Sequence, residues 1–230
     1  MTIWTDDSRS LRHLIEVRLK DTRPPLDARA ALPGGIASEF GSNLRHYFPA
    51  EPVAAAVLVP IVDHHNGLTV LLTQRASHLK NHGGQISFPG GRIEPADGSP
   101  VQAALRETEE EIGLSREHVT FVGYLDPHLM LSGFWVTPVV AFVRPGFALK
   151  LDQREVESAF EVPLAYILDP SNHQSRERHI GDTAIQVHDI PYRGHNIWGA
   201  TAGMLMGLYR LLAQPGDEGR RGRGTGDREE

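Results

Sequence analysis

The sequence predicts an α+β protein, built as an α/β/α sandwich around a mixed β-sheet. Apolar runs of strand length lie on both sides of one well-capped central helix. Further helical patterns stand near residue 10 and near residue 205, so helices are available for both faces of a sheet. A length of 230 residues with 40% hydrophobic content suits one large globular domain or two small ones.

The elements follow in order. An amphipathic helix is predicted near residues 7–20, then a Pro- and Gly-punctuated connection through about residue 51. Residues 53–62 and 68–73 read as two strands joined by a turn around Asn66-Gly67, a common hairpin dipeptide. Residues 85–88 form a short strand leading into the turn Phe88-Pro89-Gly90-Gly91.

The next helix carries the strongest local signals. Ser99 is a good N-cap, Pro100 suits the first helical position, Gln102 completes a capping box and Gly113 supplies the stop. Val101, Ala104, Leu105, Thr108 and Ile112 recur at helical spacing and should form its buried stripe. Residues 119–125, 135–143 and 156–162 look like further strands, followed by a short helix at 163–168. A late hairpin at 184–188 and 192–197 and a final helix at 198–212 complete the pattern. From Gln214 the chain is Gly- and charge-rich, the composition of a disordered tail.

Residues 106–114 read Arg-Glu-Thr-Glu-Glu-Glu-Ile-Gly-Leu. At about 100° per residue, Glu107, Glu110 and Glu111 share an arc of roughly 100° beside Ala103, whose small side chain leaves room above them. Like charges three and four residues apart repel by a few tenths of a kcal/mol per pair, so this stripe calls for a cation. Hard oxygen ligands select Mg²⁺, Mn²⁺ or Ca²⁺. Composition alone favours a solvated acidic face. The glycine turn upstream favours the metal. Glu109 points to another side, and Arg106, four residues before Glu110, can neutralise part of the cluster.

Residues 91–114 resemble the Nudix box, the signature of hydrolases that cut a nucleoside diphosphate linked to another moiety. Here the segment between glycine and arginine is one residue longer than usual, and its closest acidic position is Asp97. Upstream, Leu71-Leu-Thr-Gln-Arg75-Ala-Ser-His-Leu-Lys80-Asn-His82-Gly-Gly-Gln85-Ile-Ser-Phe88-Pro-Gly-Gly91 resembles the segment that marks the coenzyme A diphosphatase branch. The lengthened box is also typical of that branch. Together these motifs cover about a fifth of the chain.

The resemblance implies the sandwich fold already predicted. It divides the chain into an N-terminal helix and connection packing on the domain (1–50), a Nudix hydrolase domain (51–213) and the tail. It also implies Mg²⁺ or Mn²⁺ held by Glu107, Glu111 and Glu110, with the Gly91 carbonyl as a further ligand and Arg106 as an orienting ion pair. The general base can come from the box or from a distant loop, with Glu155 and Glu157 as the distal candidates and Glu110 as the main competitor. Arg75, Lys80, His82 and Arg92 could meet phosphate oxygens, and Gln85 and Phe88 gain weight from the same upstream segment. The implied substrate is coenzyme A or a derivative. Another nucleoside diphosphate such as ADP-ribose and a non-catalytic nucleotide sensor remain as alternatives.

Composition excludes other chemistries. Zero cysteines rule out disulfides, thiol catalysis and cysteine-ligated zinc. His78 and His82 share helical spacing, yet no HExxH accompanies them. There is no Walker A motif and no Gly-x-Ser-x-Gly elbow. A net charge of −6 gives no support for a nucleic-acid surface, and no stretch approaches ~18 apolar residues, so neither nucleic acid nor membrane is an expected partner. The first ten residues lack a basic segment followed by an apolar run, which suggests a cytoplasmic protein. The amphipathic N-terminal helix either covers the sandwich or packs in a homodimer.

Overall fold

The computed structural model describes residues 8–24 and 51–214. The connection before residue 51 and the tail after Gln214 lie outside the described residues.

A long hairpin starts the sheet: β1 (Val53–His64) and β2 (Gly67–Arg75) pair antiparallel from Ile61↔Val70 to His64↔Gly67. Two short strands follow, β3 (Ile86–Ser87) on β2 and β4 (Gly90–Arg92) on β1. The helix α2 (Pro100–Ile112) then crosses one face, numbered after α1 (Ser8–Leu19). β5 (Val119–Tyr124) and β6 (His128–Leu129) both pair antiparallel with β7 (Phe134–Val143). β7 runs parallel to β1 from Val53↔Phe134 to Val62↔Val143, which makes the sheet mixed. β8 (Val156–Pro163) closes the far edge against β2, giving eight strands in all.

Two helices, α3 (Leu164–Leu168) and α4 (Gly199–Ala213), flank a separate three-stranded sheet. Its strands are β9 (Gln174–Ile180), β10 (Thr183–Tyr192) and β11 (His195–Trp198). The predicted late hairpin is therefore corrected. β10 runs through the expected turn at 189–191, the real turn is Arg193-Gly194, and β9 is an additional strand.

Alternation along β1 shows why three layers form. Ala55, Val59 and Ile61 face a core shared with Ile15 and Leu19 of α1, Leu164 and Ile167 of α3, and Leu205 and Leu208 of α4. Ala56, Leu58 and Val62 face the opposite core, with Ala104 and Ile112 of α2. A strand buried on both faces reads as a continuous apolar run. Among the described residues, α2 is the one helix packed on that second face.

The N-terminal helix packs on its own domain. Thr22 Oγ1 donates to the Leu19 carbonyl at 2.6 Å and accepts from the Tyr124 amide at 2.8 Å. A Cβ on Gly123 would stand 2.3 Å from that same carbonyl, so β5 needs glycine for the helix end to approach. Arg12 pairs with Asp63 and lies 4.0 Å over the Phe142 ring.

Candidate active site

The helix caps form as the sequence predicts: Ser99 Oγ accepts from the Gln102 amide at 3.3 Å, and Gly113 adopts a left-handed φ of 68°. Its packed face is rotated from the predicted stripe. Ala103, Ala104, Thr108, Glu111 and Ile112 are buried, whereas Val101 and Leu105 are only half-buried. The carboxylate face therefore turns toward the glycine turn instead of open solvent. Two glycines opposite the helix make this approach possible.

Gly90, at φ 149°, fits where a Cβ would meet the Ala56 carbonyl at 2.4 Å and Val57 Cα at 2.6 Å. The Leu58 amide donates to the Pro89 carbonyl at 2.9 Å, and Gly91 pairs with Ala56. The turn is thereby stitched to the central strand. From it the Gly90 amide donates to Glu111 Oε2 at 3.1 Å, while the Glu107 carboxylate lies against the Gly91 Cα, 2.5 Å from where a Cβ would be.

Burial disfavours charge on both acids. It pushes Glu111 up to about 7, opposed by the Gly90 amide and by Arg75, and it raises Glu107 despite the Arg106 contact. Glu110 is more open, with a side chain 61% exposed. Glu109 turns away to Arg116 at 3.5 Å, as its helical angle predicts.

Glu155 comes from a distant part of the chain to the same place. Its carbonyl accepts from the Ala76 amide at 2.8 Å at the end of β2. The Asp152 amide, three residues earlier, donates to the Glu111 carbonyl at 2.9 Å. The negative charge of Glu155 raises the pKa of both Glu107 and Glu111. The structure thus brings Arg75, Gly91, Glu107, Glu111 and Glu155 into one electrostatic neighbourhood.

Arg106 is held on all sides. It donates to Asp97 through Nε at 3.1 Å and through a terminal nitrogen at 2.9 Å, to Glu107 at 3.0 Å, to Glu110 at 3.3 Å and to the Arg92 carbonyl at 3.1 Å. Asp97, with a side chain only 6% exposed, has its pKa lowered because Arg106 bonds to it. The donors of Arg106 are used within the protein, which makes it a positioning residue. Spacing alone gave Asp97 no role. Its value comes from a loop that folds back so that the Glu94 amide also meets its carboxylate at 2.8 Å.

The upstream residues are more dispersed. Lys80, His82 and Arg92 are exposed, and no contact joins their side chains to the carboxylates. His82 adopts φ 59° and meets the Gln85 amide oxygen at 3.0 Å. Arg92 lies 5.5 Å from the Phe134 ring. Phe88 is a core side chain, 4% exposed, so its part is to seat the glycine turn.

Among the described residues, no three His, Asp or Glu side chains stand gathered as a ready-made metal centre. Glu107 and Glu110 bond instead to Arg106, and Glu111 to Gly90. The residues nevertheless fit a hard divalent cation: Glu111 is buried at 5% exposure beside another desolvated acid, and every side-chain donor is oxygen. Glu107, Glu111, Glu110 and the Gly91 carbonyl are the groups that would hold it. When bound, such an ion screens phosphate oxygens and acidifies coordinated water.

Comparison with known proteins identifies the family of the chain. The NUDIX domain family matches residues 52–182. Proteins named "Uncharacterized Nudix hydrolase NudL" from Yersinia pestis (strain Pestoides F) and Yersinia pseudotuberculosis serotype O:1b (strain IP 31758) are each 39% identical over 168 residues. Those alignments span 73% of this chain and 84% of the relative. Among solved structures, an Enterococcus faecalis MutT/nudix family protein is 17% identical at TM-score 0.45, covering 82% of this chain and 76% of its own. A C. elegans Ap4A hydrolase binary complex is 23% identical at TM-score 0.42, covering 48% and 80%. By the extent of the domain match and the identity to these relatives, the chain belongs to the Nudix hydrolase family, whose members cleave nucleoside diphosphate derivatives.

Proposed function

We propose that this Nudix hydrolase cleaves the diphosphate of coenzyme A or its derivatives. The observation that carries the reading is the 71–91 segment. It resembles the coenzyme A diphosphatase signature, and it runs from Arg75, whose charge reaches Glu111, to the glycines that receive Glu111 and Glu107. Specificity motif and carboxylate cluster are thus two ends of one structural unit.

In the proposed reaction, water adds to one phosphorus and the bridging P–O bond breaks. Coenzyme A gives 4′-phosphopantetheine and adenosine 3′,5′-bisphosphate. Glu107, Glu110, Glu111 and Gly91 hold Mg²⁺ or Mn²⁺, and Arg106 with Asp97 fixes the helix face. Glu155 accepts the proton of the attacking water, since it is exposed and electrostatically coupled to both buried acids. Arg75, Lys80, His82, Gln85 and Arg92 line the approach for the anionic substrate, and Phe88 supports it from the core. The protein is proposed to act in the cytoplasm on this small molecule. No helix among the described residues is long and apolar enough to cross a membrane.

The test is incubation of purified protein with Mg²⁺ or Mn²⁺ and coenzyme A, with products identified by mass spectrometry. Formation of the two named products is expected. Cleavage of ADP-ribose without cleavage of coenzyme A would overturn the substrate, and metal-dependent binding of coenzyme A without any product would indicate a sensor.

A further inference from the structure

A cavity of about 670 Å³ opens on the three-stranded sheet, and none of its walls belongs to the glycine turn or α2. Its size falls within the range of small-molecule sites. Tyr166, Tyr192 and His195 give it aromatic surface. The two tyrosines meet edge to face at 5.0 Å, and His195 stacks on Phe160 at 4.0 Å with the planes 8° apart. On another wall Asp189, 5% exposed, is neutralised by Arg176 at 2.8 Å and capped by Asn196 at 2.9 Å.

The remaining charge is Arg193. Among the described residues it has no acidic partner, and its guanidinium lies 5.2 Å over the Tyr192 ring. Arg193-Gly194 is the two-residue turn between β10 and β11, with φ of 46° and 86°. Positive φ at both positions is the I′ pattern, which favours Asn, Asp or Gly at the first. Among the described residues only His82 and Arg193 combine a side chain other than glycine's hydrogen with positive φ. An exposed cation held in a strained conformation at a cavity rim is a local rule broken where a ligand would benefit.

The cavity also lies in register with the carboxylate site. His195 stacks on Phe160, four residues along β8 from Val156, roughly 13 Å at strand rise from the Glu155 end. From there β11 leads into α4, where Thr201 Oγ1 donates to the Ile86 carbonyl at 2.9 Å, two residues before the turn that carries the glycines.

We infer that this cavity binds the non-reacting, phosphorylated nucleoside end of the substrate. The base lies against the Tyr192 and His195 surface, and a phosphate monoester meets the Arg193 guanidinium. The choice of the nucleoside end rests on the coenzyme A reading, in which that end alone combines a flat ring with an extra phosphate. A net cationic pocket in a chain of net charge −6 suits that dianion.

The test is a calorimetric titration of the full chain with adenosine 3′,5′-bisphosphate, repeated on Arg193→Asn and Arg193→Lys. Asn suits the turn, so the Asn variant should melt at or above the wild-type temperature while binding at least tenfold more weakly. Lys should recover part of the affinity. In turnover the Asn variant should raise KM for coenzyme A about tenfold with kcat unchanged. Equal binding by wild type and the Asn variant would overturn the inference, as would loss of 4′-phosphopantetheine binding alone. The titration needs no turnover, so a failure of coenzyme A hydrolysis is read separately.

Discussion

Glu111 and Gly90 are bonded across the boundary between helix and turn: the glycine amide donates at 3.1 Å to a carboxylate that retains only 5% of its exposure. A buried acid with one backbone donor is a strong ligand and a poor surface charge. Glu111→Gln keeps an oxygen for Gly90 but removes the charge. We expect turnover to fall roughly 100-fold or more, with a melting temperature at or above wild type in chelator. Steady-state kinetics and thermal unfolding together check this, and near-normal turnover would remove Glu111 from the site.

The two glycines of the turn should fail differently. A Cβ at position 90 strikes backbone of β1, whereas one at position 91 strikes the mobile end of Glu107. Gly90→Ala should therefore destabilise by about 2–4 kcal/mol, seen as a lower denaturant midpoint. Gly91→Ala should unfold near the wild-type midpoint while losing most activity, because its methyl displaces the carboxylate.

Asp97 tests the lengthened approach to the helix. Asp97→Asn removes the charge and one of the two oxygens that accept from Arg106, so the guanidinium can pull Glu107 and Glu110 away from the productive arrangement. The expected outcome is kcat reduced roughly 10–100-fold, the range for residues that orient ligands, with KM little changed. An unaltered kcat would mean that Glu107 and Glu110 alone fix Arg106.

For the proton acceptor, Glu155→Gln should lower kcat by about 10²–10⁴ with little effect on KM. Glu110→Gln should cost less, because its carboxylate is exposed and bonded to Arg106. The reverse order would move the base into the helix.

His128 supplies a pH dependence outside the site. Its ring packs beside Gly203 of α4 and contacts the Asp126 carbonyl at 3.2 Å, and burial holds its pKa below the ordinary imidazole value of 6.5. The unfolded chain takes up this proton first, so the stability contribution is present above about 6.5 and is lost as pH falls through the folded value. Between pH 7 and pH 5 the wild type should lose more melting temperature than His128→Gln. Parallel curves for the two proteins would count against this.

How much of this was legible depended on whether the signal was local. The α2 caps, the β1–β2 hairpin and the apolar runs of β7 and β8 carry their own periodicity and turn chemistry. β4 and β6 have three and two residues, too few for any period, and exist because β1 and β7 offer partners. β9 reads Gln-Ser-Arg-Glu-Arg-His-Ile without apolar alternation and becomes a strand through its register with β10. The late hairpin was expected to turn between 188 and 192, but Asp189 is buried in its bond to Arg176 inside a longer strand. Within the site, the acids were readable from spacing. Their orientation was not, because the rotation of α2 is set by the space that Gly90 and Gly91 leave across the interface.

The clamp between Asp97 and Arg106 has one more implication. Residues 93–99 contribute no strand, and their attachment to the helix passes through this pair, the Arg92 carbonyl and the cap at Ser99. Insertions in that loop can consequently be absorbed outside the sheet, provided an acid still reaches the arginine. The glycines themselves have no such slack, since the register of Gly91 with Ala56 fixes where the helix can dock. Lengthening on the arginine side of the glycines is thereby a tolerated change of spacing around an unchanged anchor, which is how the longer box is accommodated here.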